Sequence, residues 1–251
     1  MNVSLLLTVR KGSSFRDKSF SLINGKSCLD HILNEVKKSK LINSFYASSD
    51  CEKVIEKSKE YEFQPILRPS ELAADDSKHI DVIKHSLKYI SENERNKIEV
   101  LIVVLGNAPI IFNQWIDHSL NIIKNDHTFT SVVPVYEYSD HSPFRSKVIC
   151  QEKGLLINPS FNTNNKVSST NRQDLESTYF LCHNFWTINL KHWKNNKPPS
   201  GYAPWLFLGD KIKPMIIPYS HDIHNKNDVS ICSLLMNWYE KNPDMKVIKD
   251  K

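Results

Sequence analysis

Residues 3–12 of this 251-residue chain read Val-Ser-Leu-Leu-Leu-Thr-Val-Arg-Lys-Gly, an apolar run that ends in two cations and a glycine. A short β-rich run of this kind is typical of a buried strand, and the polar residues behind it are typical of a loop. The run is too short for a secretory signal peptide and has no leading positive charge. The sequence therefore predicts a first strand that leads into a basic, glycine-containing loop.

Short strands and amphipathic helices alternate from this run to residue 135. Leu29, Ile32, Leu33 and Val36 follow the 3–4 spacing of a helix, with Ser27 as its N-cap. The same criteria predict further strands at 44–48, 63–67, 99–105 and 130–135, and further helices at 50–61, capped by Asp50, at 79–90 and at 114–123. This alternation indicates βαβ units in an α/β fold, with a mainly parallel, doubly wound, Rossmann-like sheet.

Three predicted loops follow strands of this sheet. Ligands of doubly wound sheets bind where strands end and loops begin. We therefore expect residues 10–20, 68–77 and 106–109 to line one crevice.

The alternation stops after residue 136. Asn, Ser and Thr crowd residues 158–171, and we interpret about 139–178 as a small β-arm excursion that serves dimerisation or the acceptor side. A Lys-, Asn- and Pro-rich loop is predicted at 191–203, a strand at 211–218 and a closing helix at 229–238. We predict a single domain over residues 1–251.

Composition narrows the class of protein. The net charge is +5, which suits an anionic small substrate, and no Lys/Arg block is dense enough for a nucleic-acid arm. Five cysteines without a Cys-x-x-Cys pair support neither a disulfide framework nor a zinc knuckle. No segment approaches the roughly 20 apolar residues of a membrane span. We expect a cytoplasmic protein that binds neither nucleic acid nor membrane.

The loop from Arg10 to Lys18 contains one glycine, two serines and four cations. Backbone N–H groups in such a loop can cradle phosphate oxygens, and its cations can neutralise charge during phosphoryl transfer. The loop is neither a P-loop nor a dinucleotide fingerprint. Taken alone, it fits an exposed basic turn equally well.

Further motifs make the chain resemble a known family, the CMP-sugar synthetases, which include acylneuraminate and related nonulosonic acid cytidylyltransferases, with Kdo-type enzymes as cousins. The resemblance extends over nearly the whole length and rests on the order of the motifs. These are Arg10-Lys11-Gly12-Ser13, Ser48-Ser49-Asp50, Arg68-Pro69-Ser70-Glu71-Leu72-Ala73-Ala74-Asp75, Asp76-Ser77, Asp81-Val82-Ile83, Arg172-Gln173-Asp174-Leu175 with Tyr179, and Asp222-Ile223-His224 with Asp228 beyond.

The resemblance implies a nucleotidyltransferase that transfers CMP from CTP to a small acidic acceptor, with Mg²⁺ as cofactor, most simply as a homodimer. It assigns catalysis to Arg10, Lys18 and Asp222, with Asp222 holding the metal. Nucleotide binding would fall to Gly12, Ser13, Arg16, Arg68, Ala73, Asp75 and Ser77, and Gln173 would face the acceptor. Mg²⁺ binding by one or two carboxylates plus phosphate oxygens agrees with this assignment.

Four segments depart from the family pattern. Ser14 stands where a lysine is common, and the first loop is one residue shorter. Asn107-Ala108 replaces a carboxylate-bearing motif, His183 ends the segment that borders the sugar pocket, and His224 replaces a second metal-side aspartate. We therefore place Asn107 and His183 on the acceptor side and His224 beside Asp222 at the metal.

Several alternatives stay open. His224 also fits a polar loop histidine, and His183 also fits a core histidine. A zinc trio around Asp222 lacks a fourth ligand, and a Cys182-His183 dyad on one strand would point to opposite faces. The acceptor is most simply a sialic-acid-like nonulosonic acid, with a phosphonate as the non-sugar alternative and Kdo itself disfavoured by Asn107. A non-catalytic nucleotide-binding paralogue, or an enzyme for another nucleotide, would also fit.

Overall fold

A computed structural model of the chain describes residues 1–11, 17–93, 97–138, 142–150, 152, 154–157, 159, 169, 171–174, 176–195 and 197–248. Its helices are α1 (Cys28–Val36), α2 (Glu52–Glu60), α3 (His79–Asn93), α4 (Asn113–Asn125) and α5 (Lys226–Lys241). Its strands are β1 (Val3–Thr8), β2 (Leu22–Ile23), β3 (Lys26–Ser27), β4 (Ser44–Ser49), β5 (Gln64–Leu67), β6 (Val100–Leu105), β7 (Ser131–Glu137), β8 (Val148–Cys150), β9 (Leu155–Ile157), β10 (Tyr179–Leu181), β11 (Phe185–Asn189) and β12 (Ile212–Ile216).

The central sheet has the order β10-β7-β11-β6-β1-β4-β5, and β12 pairs with β7. Strand β1 lies between β4 and β6 and is parallel to both, and β4 is parallel to β5. Every residue of β1 is buried, as expected for the middle of a sheet covered on both faces. The mainly parallel α/β fold predicted from the sequence is confirmed.

The two faces of the sheet carry separate hydrophobic clusters. Leu5 and Leu7 pack with Leu29 of α1 and Trp115 of α4, whereas the intervening Leu6 belongs to the cluster that contains α3. Alternate residues of one strand thus reach opposite faces. Helices cover both faces, which is the doubly wound arrangement.

Two strands of the sheet, β10 and β11, were missed by the sequence analysis. β11 runs antiparallel to both β6 and β7 and is buried at all five residues. β10 pairs antiparallel with the other end of β7. The turn between β10 and β11 therefore opens beside the carboxyl end of β6, and Cys182 and His183 lie in that turn and not on a strand as expected.

Helix starts were predicted with mixed success. The Ser27 hydroxyl accepts from the backbone N–H of Asp30, so the predicted N-cap of α1 is confirmed. The predicted cap of α2 is wrong, because Cys51 holds the N-cap position. The Asp50 carboxylate instead accepts from the backbone N–H of Lys11 at 2.9 Å and thereby holds the loop after β1.

Residues beyond 138 add two further features. β8 and β9 form an antiparallel pair of their own within the predicted excursion, and β12 leads through residues 217–225 into α5. No helix in the described ranges is long and apolar enough to cross a membrane.

Candidate nucleotide and acceptor site

A cavity of about 260 Å³ lies at the carboxyl edge of the parallel strands. Residues from all three predicted loops line it, because the ends of β1, β5 and β6 meet at this edge. The lining residues are Thr8, Val9, Arg10, Lys18, Ser19, Arg68, Asp75, Ser77, His79, Val82, Leu105, Gly106 and Asn107. We call it the basic cavity, after Arg10, Lys18 and Arg68.

Arg10 reaches across the mouth of the basic cavity. Its guanidinium donates to the Asp75 carboxylate at 3.0 Å and to the Ala74 carbonyl at 3.2 Å. Both side chains of the ion pair are substantially exposed, so the pair contributes little to stability. Arg10 is therefore available to exchange Asp75 for an anionic ligand.

Arg68 lies deeper and is 9% exposed. Its guanidinium donates to the Ser48 carbonyl at 2.9 Å and to the Ser48 hydroxyl at 3.3 Å. Burial lowers the pKa of Arg68 to about 10, and the nearby Arg10 adds to the effect, against the opposing charge of Asp50. In the described part of the chain no carboxylate lies within ion-pair distance of Arg68, so the cavity offers a buried cation to a ligand.

Lys18 is influenced by the positive charge of Arg10 and by the negative charge of Asp222. Burial lowers its pKa, Arg10 lowers it further, and Asp222 acts in the opposite direction. The ammonium group of Lys18 therefore interacts electrostatically with both Arg10 and Asp222.

His79, the first residue of α3, lines the basic cavity and was not singled out from the sequence. Its imidazole packs against the rings of Trp186 and Phe207, with centroids 5.3 and 6.1 Å away, and its Nε2 lies 3.4 Å from the Thr8 hydroxyl. Burial lowers the pKa of His79 to about 4, helped by the charge of Arg68. His79 is therefore neutral at pH 7. Its position two residues after Ser77 was the available signal.

A second cavity of about 210 Å³ adjoins Asp222, and we call it the aromatic cavity. Rings of Tyr136, Tyr138, Phe180 and Tyr219 form one wall, with centroid separations of 4.6 to 6.1 Å. The other lining residues are Cys182, His183, Asn184, Ser220, His221 and Asp222. The described lining contains no lysine or arginine.

Asp222 faces two histidines, His183 within the aromatic cavity and His224 outside its lining. Its Oδ2 lies 2.8 Å from Nε2 of His224 and 3.8 Å from Nδ1 of His183. Burial alone raises the pKa of Asp222, but the two imidazoles lower it more, so the net pKa lies below its usual value. Asp222 is an anion at neutral pH. The Nε2 atom of His183 is buried without a hydrogen-bond partner in the described part of the chain.

Cys182 does not act as a nucleophile in this arrangement. Its side chain is buried, and burial raises the pKa of the thiol well above its usual range. The thiol therefore stays protonated, which agrees with a role as a small buried residue.

Asn107 links the basic cavity to the loop that carries Asp222. Its backbone carbonyl accepts from the N–H of Ile223 at 2.8 Å, and its carboxamide donates to the Ile223 carbonyl at 3.3 Å. Asn107, expected on the acceptor side, thus lines the basic cavity and holds the loop that carries Asp222.

The remaining predicted site residues are placed as follows. Ala73 ends the short turn 70–72 and lines neither cavity, and Gln173 is exposed in the short helical turn 172–174. Gly12, Ser13 and Arg16, together with Ser14, lie outside the described residues.

Asp222 is the carboxylate that fits a divalent cation here. Mg²⁺ takes oxygen ligands, commonly one or two carboxylates completed by substrate phosphates and water. His224 offers a nitrogen, which suits Mg²⁺ poorly, and it already contacts Asp222. The described residues contain no group of three or more His, Cys, Asp or Glu side chains that could hold a metal alone, which disfavours the zinc trio.

Comparison with solved structures agrees with this architecture. A CMP:2-keto-3-deoxy-manno-octonic acid synthetase complexed with CTP is similar with a TM-score of 0.65 at 12% identity, over 95% of this chain and 99% of that one. A 4-diphosphocytidyl-2C-methyl-D-erythritol synthase from Anaerococcus prevotii DSM 20548 is similar with a TM-score of 0.62 at 12% identity, over 94% and 96%. The fold is that of the α/β nucleotidyltransferases.

Comparison of the sequence with family models identifies the family as well as the fold. The model of the cytidylyltransferase family matches residues 6–157, which is more than half of the chain. The chain belongs to the cytidylyltransferase family and is a CTP-dependent nucleotidyltransferase.

Proposed function

We propose that this enzyme transfers CMP from CTP to a sialic-acid-like nonulosonic acid and releases pyrophosphate. The observation that carries the proposal is the proximity of the two cavities. Asp222 lines the aromatic cavity, and its charge acts on Lys18, which lines the basic cavity. Asn107 of the basic cavity bonds to Ile223, the residue after Asp222.

CTP is proposed to occupy the basic cavity. Arg10, Lys18 and Arg68 offer three cations to its phosphates and base, and the structural relative solved with CTP supports this choice of nucleotide. We assign Asp75 and Ser77 to the ribose side, since both line the same cavity. The loop with Gly12, Ser13 and Arg16 follows β1 directly in the sequence and is proposed to contact the triphosphate.

The transfer is an in-line displacement at the α-phosphate. A bond forms between the acceptor hydroxyl oxygen and the α-phosphorus, and the bond from that phosphorus to the oxygen bridging the β-phosphate breaks. The hydroxyl proton passes to solvent, and pyrophosphate leaves. Positioning and charge neutralisation dominate catalysis of this reaction type. Arg10 and Lys18 stabilise the departing pyrophosphate, and no covalent nucleophile is needed.

Asp222 is proposed to hold Mg²⁺ together with phosphate oxygens. When bound, the cation neutralises negative charge that develops on the transferring phosphoryl group. His224 is proposed to act beside the metal through Asp222, which it contacts at 2.8 Å.

The aromatic cavity supports a sugar acid over a phosphonate. Aromatic rings pack against the apolar faces and acyl groups of sugars, and their hydroxyl groups can bond to sugar hydroxyls. His183 is proposed to receive the acceptor carboxylate. A phosphonate dianion would call for arginine or lysine, and the described lining contains neither.

The excursion is proposed to form a homodimer contact. In the β8–β9 pair, Val148, Ile149, Leu155, Leu156 and Ile157 are all between 44% and 70% exposed. Exposed apolar side chains of this number in one short strand pair are typical of an interaction surface, and equilibrium sedimentation of wild type and Leu156→Lys measures whether that strand pair joins two copies.

Pyrophosphate release tests the substrate. CTP and Mg²⁺ are incubated with acylneuraminate, legionaminate-like and pseudaminate-like acids, Kdo and simple phosphonates, and the Asp222→Ala variant is the control. Release with a nonulosonic acid, lost in the variant, is expected. Release with a phosphonate alone would replace the acceptor. No release with any acceptor, while CTP still raises the Tm, would favour a non-catalytic paralogue.

A further inference from the structure

Helix α5 uses its buried face to hold the loop that carries Asp222. Its buried residues are Asp228, Cys232 and Tyr239. The Tyr239 hydroxyl donates to the Tyr219 carbonyl at 2.6 Å and accepts from the Tyr219 N–H at 3.2 Å. The Cys232 thiol lies 3.6 Å from the carbonyl of His221. All three buried side chains of the helix thus bond to residues 219–225.

Asp228 makes the largest number of these bonds. Its Oδ2 accepts from the backbone N–H groups of His224 and Asn225 at 2.7 and 2.8 Å, and its Oδ1 accepts from Nε2 of His221 at 2.9 Å. The side chain is buried. These three donors lower the pKa of Asp228 despite its burial, so the carboxylate is ionised at neutral pH.

Helix capping accounts for only part of this arrangement. A capping box needs the Asn225 side chain and the bond from the Asn225 N–H to Asp228, and both are present. The bonds to His221 and His224 lie outside the helix, one on each side of Asp222. The bond to His224 fixes the backbone on one side of Asp222, and the bond to His221 fixes the side chain of the residue on the other side. Asn107 holds Ile223 from the basic cavity.

We propose that Asp228 is a positioning residue for catalysis: by binding His221 and the His224 N–H, it holds the Asp222 carboxylate in the wall of the aromatic cavity, on the side of Lys18 and Asn107. This inference rests on the proposed role of Asp222. Asp228 itself lines neither cavity within the described residues, so it acts through the loop. Residues that orient a metal ligand in this way change metal affinity or activity by roughly 10- to 100-fold when they are replaced.

The test compares Asp228→Ala with Asn225→Ala. Asn225→Ala removes the side-chain N-cap of α5 but keeps the backbone N–H that bonds to Asp228, so it measures the effect of weakening the helix alone. Turnover, KM for CTP and the Mg²⁺ concentration for half-maximal rate are measured below the Tm of each variant. We expect Asp228→Ala to lower kcat at least 10-fold and to raise the Mg²⁺ requirement. KM for CTP should stay within about 3-fold, and Asn225→Ala should keep near wild-type kcat.

Asp228→Asn gives a rescue measurement, and it replaces the alanine variant if that variant does not fold. The carboxamide oxygen can still accept from the two backbone N–H groups, but the charge that binds His221 is lost. We expect a kcat between those of Asp228→Ala and wild type. A kcat for Asp228→Ala, or for Asp228→Asn if it alone folds, equal to that of Asn225→Ala would overturn the positioning role.

Asp222→Ala separates this inference from the proposed function. If Asp222→Ala is inactive and Asp228→Ala is fully active, Asp222 is catalytic and the positioning role is wrong. If Asp222→Ala keeps full activity, the assigned role of Asp222 is wrong, and the positioning inference is overturned with it.

Discussion

Replacing Arg68 with methionine should make the protein more stable and much less active. The guanidinium is buried, and its described partners are the carbonyl and hydroxyl of Ser48 rather than a carboxylate. Burial lowers its pKa from 12.5 to about 10. At about 1.4 kcal/mol for each pKa unit, holding the cation in the folded state costs about 3 kcal/mol.

Methionine has a similar length and no charge to desolvate, so this cost disappears in the variant. The Ser48 carbonyl keeps its bond from the Val9 N–H at 3.1 Å, but the Ser48 hydroxyl loses its bond from Arg68. An unsatisfied buried polar group costs roughly 1 to 2 kcal/mol. The net expectation is a gain of about 1 to 2 kcal/mol, which corresponds to a rise in Tm of about 2 to 8 °C for a chain of this size.

The same substitution should remove most of the binding of CTP. In wild type, CTP at about 100 times its Kd adds about 2.7 kcal/mol to the free energy of unfolding. Urea unfolding without and with CTP measures both effects, and Arg68→Lys serves as the control that keeps a cation. A loss of stability above about 1 kcal/mol in nucleotide-free Arg68→Met, or an undiminished CTP effect, would refute the argument.

Three further expectations follow from the described residues. The pKa of His79 is about 4 in the folded protein and 6.5 as its ordinary value. As the pH falls below 6.5, the unfolded chain therefore takes up a proton on His79 that the folded protein does not. Stability should then fall by up to about 3 kcal/mol from pH 6.5 to 4, and His79→Gln should show a smaller fall in urea unfolding. Cys150 is half-buried and the other four cysteines are buried, so a thiol reagent at pH 8 should modify one thiol quickly and the rest only in denaturant. At Gly209 (φ 82°) an added Cβ would lie 2.6 Å from Thr130. Gly209→Ala should therefore lower stability by about 2 kcal/mol or more, whereas Gly154→Ala, which meets open space, should lose only about 1 kcal/mol in thermal unfolding.

The parallel half of the fold was predictable because its signals are local. The apolar run of β1 and the Ser27 cap of α1 each lie within a few residues of the structure that they specify. The choice between Asp50 and Cys51 as the cap of α2 was not local. Asp50 bonds to the N–H of Lys11, 39 residues earlier in the chain, and no pattern around residue 50 carries that information.

β11 could not be placed for a related reason. Its sequence, Phe185 to Asn189, is a short apolar run that fits a strand or part of a buried helix. Its direction and neighbours come from pairing with β6 and β7, which lie more than 45 residues earlier in the chain. The same long-range pairing places His183 in a turn beside Asp222. The expectation that Cys182 and His183 lie on one strand and point to opposite faces therefore does not apply.

The order of the motifs identified residues of the site but not the hydrogen bonds that connect them. Arg10, Arg68 and Asp222 were named from the sequence, and Arg10 and Arg68 share the basic cavity, which adjoins Asp222. The bonds of Asn107 to Ile223 and of Asp228 to His221 join segments that the motifs treat separately. His79 was missed because a histidine at the start of a helix has no distinctive spacing.

The nucleotide side and the acceptor side of the site come from different parts of the chain. The nucleotide side comes from the ends of β1, β5 and β6, all within residues 6–157, the part that matches the cytidylyltransferase family. His183 and Asp222 come from later segments, the β10–β11 turn and the loop before α5. Substitutions there can reshape the aromatic cavity while β1, β5 and β6 keep their pairing and the basic cavity keeps its cations. Two of the four departures from the family pattern, His183 and His224, fall in this later part, and a third, Asn107, bonds to Ile223 of the later part from the basic cavity. We therefore expect the acceptor, and not the nucleotide, to distinguish this enzyme from its relatives.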